Sequence, residues 1–125
     1  MKEDDLKRLA KDPDGLRTYE YIANHISDDD LDMDALVSNM IRVDATGQFV
    51  VSAARYLAAI DSADFAGSIT RLVSAAIDKD REHRYLPDLI SGLWGKDYEA
   101  NAERLSAEDD NFRRIYKRLH SPAAM

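Results

Sequence analysis

Apolar side chains recur along this chain at three- and four-residue intervals, and nowhere do they alternate strictly with polar ones over a strand's length. The pattern predicts helices throughout. Leu16, Tyr19, Ile22, Ala23 and Ile26 share one helical face, and the acidic Ser27-Asp28-Asp29-Asp30 ends that element. Leu36, Val37, Met40 and Ile41 mark a short second helix that Asp32 or Asp34 can open as cap or first-turn anion. Thr46-Gly47, with a hydroxyl able to accept from free helix amides, precedes a stripe of Phe49, Val50, Ala53, Leu57 and Ile60. Asp61-Ser62 then separates it from the cleanest stripe in the chain, Phe65, Ile69, Leu72, Val73, Ala76 and Ile77. So short a link predicts that these two helices form an antiparallel hairpin across residues 46–79.

Beyond the charged stretch 78–84, Pro87 suits the first turn of a helix. Leu86, Leu89, Ile90, Leu93 and Trp94 form its inner face, and Gly95 is its expected C-terminal cap. Asp97 can start a short helix through Tyr98, Ala102 and Leu105. Ser106 with Asp109 has the spacing of a capping box ahead of Phe112, Ile115, Tyr116 and Leu119. At the front, Asp12-Pro13-Asp14-Gly15 is a turn signal. The expectation is an all-α fold, a single compact domain of about six or seven short-to-medium helices in an irregular orthogonal or antiparallel bundle. Residues 1–12 are expected to be a charged N-terminal segment, frayed or a short helix, with 13–120 the helical domain and 121–125 a frayed C-terminus. Phe49, Ser52 and Arg55 echo Phe65, Ser68 and Arg71 sixteen residues on. Amphipathic helices of similar length produce such matches by themselves, so a closed bundle is favoured over a helical repeat, which needs three units of 30 or more residues.

Composition narrows the chemistry. The 125 residues are 45% hydrophobic and contain no cysteine, which excludes disulfides, thiolate metal sites and a cysteine nucleophile. The start lacks the apolar stretch of a signal peptide, and no run of apolar residues is long enough to span a bilayer, so a cytoplasmic protein without membrane contact is expected. Net charge is -7. Residues 1–40 hold 11 acids against 5 bases, while Arg113, Arg114, Lys117 and Arg118 crowd the last helix. An acidic body repels phosphates, so nucleic acid is disfavoured as a partner.

No motif fixes an activity. The acidic stretch from Asp28 has carboxylates at alternate positions, but Met33 stands where a calcium loop needs glycine and Asn39 where it needs a closing Glu. Around His83 lie Asp78, Asp80 and Glu82, yet the other two histidines fall in separate elements, and Arg81 and Arg84 compete for the same carboxylates. The five glycines are scattered singly, so no phosphate loop exists, and no serine stands in a nucleophile elbow. No cofactor, metal site or catalytic residue is therefore assigned. The expectation is a non-catalytic protein-binding or regulatory module whose contact residues are Arg113, Arg114, Lys117, Arg118, Arg81 and Arg84. The alternatives are a nucleic-acid-associated protein using that basic set on its C-terminal helix, and an enzyme assembled from dispersed acids and His83. Trp94 on an apolar stripe reads as core. Partner identity and oligomeric state are not encoded in any motif.

Overall fold

The computed structural model describes residues 2–120, so the expected frayed C-terminus at 121–125 lies outside the described residues. Among them are eight α-helices, one 3-10 turn and no strand. Helix makes up 72% of the structure, against about a third in ordinary soluble domains, which establishes the all-α class. The helices are α1 (Glu3–Leu9), α2 (Leu16–Asn24), α3 (Met33–Val43), α4 (Gln48–Asp61), α5 (Ala66–Lys79), α6 (Leu86–Trp94), α7 (Ala102–Glu108) and α8 (Asp110–His120). The 3-10 turn, Tyr98–Asn101, leads into α7. α4 and α5 pack on each other as the expected hairpin, and Leu57, Leu72, Val73 and Ile77 lie within one core cluster that runs from Leu9 to Ile115. Ile60, placed on the α4 stripe by periodicity, is instead 51% exposed because it falls in the last turn, beyond the core.

The helices are ordered in two layers. α3 packs on α1, α5 on α3 and α8 on α5, while α4 packs on α2 and α6 on α4. Three successive helix pairs joined by short loops, α1–α2, α3–α4 and α5–α6, thus follow one another along the molecule, and α8 closes the end by packing on both α5 and α6. The spacing of sixteen residues noted in the sequence is not the repeat. The repeat is carried by the loops joining each pair, which start at Asp12, Asp44 and Asp80, 32 and 36 residues apart.

Each of these aspartates is at most 3% exposed, and each carboxylate is filled by amides of its own loop and of the first turn of the helix that follows. Asp12 Oδ1 accepts from the Asp14 and Gly15 amides at 3.3 and 3.1 Å, and Oδ2 from the Thr18 amide and hydroxyl at 2.8 and 2.7 Å. Asp44 Oδ1 accepts from Thr46 and Gly47 at 3.0 and 2.9 Å, and Oδ2 from Phe49 and Val50, both at 2.9 Å. Asp80 Oδ1 accepts from Arg84 at 2.9 Å, and Oδ2 from Tyr85 and Leu86 at 2.7 and 2.8 Å. A buried carboxylate without a cation is tolerable here because three or four donors and a helix N-terminus face it. At Asp12, burial pushes the pKa up, but the Thr18 hydroxyl and the amides of Thr18, Gly15 and Asp14 outweigh it and hold the group below its ordinary value. The hydroxyl of Thr46 accepts from the Gln48 amide at 3.3 Å, a minor part of a cap that Asp44 dominates.

A glycine, or its stand-in, completes each loop. Gly15 and Gly47 have φ of 110° and 94°, and at the matching third position His83 has φ of 57°, the one non-glycine with positive φ among the described residues. The two glycines also permit stacking. A Cβ on Gly15 would lie 3.5 Å from Asp44 Cβ, and one on Gly47 would lie 3.3 Å from Asp80 Cβ, so each loop rests on the next.

Candidate functional site

Basic side chains tie the first layer together by a repeated device. Arg42, in the last turn of α3, donates to the Ala10 carbonyl beyond α1 at 2.9 Å. Lys79, ending α5, donates to the Asp44 carbonyl beyond α3 at 2.5 Å. Arg118, near the end of α8, donates to the Ile77 carbonyl in the last turn of α5 at 2.8 Å. Each cation satisfies a carbonyl that a helix end leaves free, where the macrodipole also favours positive charge. Arg71 likewise reaches from α5 to Ser38 on α3 at 2.5 Å, and Arg114 from α8 to Ser74 and Asp78 on α5, both at 3.4 Å.

The expected contact residues therefore divide. Arg114 and Arg118 are cross-links between helices, and Arg113 is paired with Asp110 on its own helix. Lys117 is exposed and has no hydrogen bond or ion pair among the described residues. Arg81 and Arg84 lie apart from α8 in sequence and line a cleft of ≈ 320 Å³ at the edge formed by the stacked loops, with Ala45, Thr46, Lys79, Glu82 and Tyr85 also at its wall. Arg84 is paired with Glu82 at 2.8 Å. Arg81 has no side-chain partner among the described residues. The carboxylate at the floor, Asp80, has its oxygens filled by amides, so it competes little for an incoming cation or for the cleft's own bases. His83 holds the glycine-like turn; of its expected cluster, Asp80 is the buried cap and Glu82 is paired with Arg84. Among the described residues no three potential ligands are grouped to hold a metal ion.

Two further clefts emerge that the sequence did not signal. One, ≈ 290 Å³, lies between α1 and α2 with Arg17 at its wall. The other, ≈ 380 Å³, crosses the second layer and is lined by Tyr19 of α2, Ser52, Arg55, Tyr56 and Ala59 of α4, and Gly92 of α6. Of the eleven arginines, only Arg17, Arg55 and Arg81 lack a side-chain partner among the described residues, and each lines one of these clefts. Trp94 packs edge-on against the fully buried Phe112, with ring centroids 5.3 Å apart.

Comparison of the chain with protein families, with curated proteins and with solved structures gives no match.

Proposed function

We propose that the protein is a non-catalytic binding module that takes an acidic segment of a partner protein at the edge formed by its stacked loops. The observation that carries this reading is the cleft where Lys79, Arg81 and Arg84 converge over a carboxylate already filled by amides. Lys79 is held by the Asp44 carbonyl and Arg84 by Glu82, which leaves Arg81 as the exposed cation with no side-chain partner there. The lining sets three cations against the carboxylates of Asp80 and Glu82, a local balance opposite in sign to that of the acidic body, and such a field selects and orients a complementary partner. On α8, Lys117 is exposed, Arg113 is paired with Asp110, and Arg114 and Arg118 hold the helix against α5. The cytoplasm is the setting this reading assumes. No helix among the described residues is long and apolar enough to cross a membrane.

The test is capture from a native lysate on the immobilised protein beside its Arg81→Glu/Arg84→Glu variant. Both side chains are exposed, so the variant should stay folded with its unfolding midpoint nearly unchanged. An acidic polypeptide retained by the parent at low salt and lost from the variant supports the reading. Retention of nucleic acid with steep salt dependence would replace it with the nucleic-acid alternative. Equal retention by both proteins would remove this edge from consideration.

A further inference from the structure

The cleft across the second layer has features that packing alone does not explain. Gly92 sits inside α6 with an ordinary helical backbone, where a glycine weakens the helix relative to alanine. Its missing side chain is replaced by Arg55, because a Cβ there would lie 2.8 Å from Arg55 Nε and 3.4 Å from its Cδ. The Arg55 side chain of α4 thereby runs across α6 at Gly92. It is exposed and faces no carboxylate or carbonyl among the described residues, although the chain holds seven more acids than bases and most other arginines have found an acceptor. Beside it Tyr19 and Tyr56 meet edge to face with centroids 6.1 Å apart. Both are half-buried, and neither hydroxyl has a partner among the described residues.

We infer that this cleft binds an extended segment of a partner protein in which a carboxylate side chain, flanked by apolar or aromatic ones, pairs with Arg55 between Tyr19 and Tyr56. The charge of the occupant follows from the unpaired guanidinium, which presents a planar fork of donors to a bidentate acceptor. Its apolar flanks follow from the two rings, since half-buried tyrosines beside an arginine are the side chains that most often anchor interfaces. Gly92 is the positioning residue, because it lets Arg55 lie in the cleft before the partner arrives. This site lies across α2, α4 and α6 and shares no residue with the loop edge, so either reading can fail without the other.

The probe is the peptide acetyl-Phe-Glu-Phe-amide, titrated into the isotope-labelled full chain and followed by amide and arginine side-chain NMR shifts. The expected result is saturable shifts centred on Tyr19, Arg55, Tyr56 and Gly92. Replacing the probe's Glu by Gln, or Arg55 by Gln, should each weaken binding about tenfold or more, the loss expected for a charge-assisted pair. Gly92→Ala should also weaken binding while leaving the protein at least as heat-resistant as its parent, because the new methyl displaces only the end of a flexible side chain. Equal affinity for the Gln peptide, unchanged binding by Arg55→Gln or Gly92→Ala, or no saturable shift in the cleft would each overturn the proposal.

Discussion

Gly47 lies against Asp80 so closely that a Cβ on the glycine would sit 3.3 Å from the Asp80 Cβ and 3.4 Å from its amide nitrogen. That contact joins the second loop to the third, and it explains why glycine is needed twice over, for its φ of 94° and for the space it leaves. Gly47→Ala should therefore destabilise the protein by about 1–3 kcal/mol, from a left-handed backbone and a displaced neighbour. His83→Gly, at the equivalent place in the third loop, should be neutral or stabilising by up to about 1 kcal/mol, since it relieves a φ of 57°. Urea unfolding of the two variants in parallel measures the contrast, and equal effects of the same sign would show that the loops are not equivalent.

Asp12 predicts a pH dependence. Its folded-state pKa is depressed below 3.8, so the stabilisation it supplies is fully present above the unfolded pKa and disappears as pH falls through the folded one. Asp12→Asn should cost about 1.5–3 kcal/mol near neutral pH, where a charged acceptor of three amides and a hydroxyl is lost. The difference between parent and variant should shrink below about pH 4 and vanish once Asp12 is protonated in both states. Unfolding midpoints across that range decide it, and a difference that stays constant down to low pH would refute the assignment.

Arg114 and Lys117 lie close together in α8 but should behave differently. Arg114 is half-buried against α5 and faces Asp78 at 3.4 Å, whereas Lys117 is exposed. Arg114→Glu should cost about 1 kcal/mol, from the lost pair and from the repulsion that replaces it. Lys117→Glu should change stability by less than about 0.5 kcal/mol. Thermal unfolding of the two single variants is sufficient to separate them.

Leu72 is fully buried in α5 at the centre of the core. Leu72→Ala should cost about 2–5 kcal/mol through lost burial and the cavity left behind. A denaturation midpoint that hardly moves would show that the α4–α5 hairpin is not central to the fold.

The parts of this fold that depend on neighbours along the chain were legible in the sequence. The stripe through Leu72 and Ile77 is inward as expected, and Asp32 caps α3 by accepting from the Ala35 amide at 3.1 Å. The capping box predicted from the Ser106–Asp109 spacing does not form. Ser106 lies inside α7, and Asp109 is itself the cap, accepting from Asn111 and Phe112 at 2.9 and 3.3 Å. The repeat of loops is hidden in the sequence for a physical reason. Its caps reach as far as six residues forward, and the third loop replaces glycine with His83, which hides the match to Asp12-x-x-Gly15 and Asp44-x-x-Gly47. Arg118 read as a free cation because the Ile77 carbonyl it satisfies is distant in sequence. The Arg55 cleft left no local trace at all, since its walls come from three helices and its floor from a glycine that periodicity treats as a defect.

Stacking of the three aspartate loops divides the molecule into an edge that cannot be lengthened and an edge that can. One residue added between Asp44 and Val50 would pull amides away from the carboxylate and shift Gly47 off Asp80, unseating two helix pairs together. The opposite connections already differ in length and form, from the short Ser62–Phe65 link to the 3-10 turn and α7 that fill the path from α6 to α8. New chain inserted at those connections would leave the spine of loops intact, so the same architecture can accept grafted segments there as a splint accepts a longer dressing.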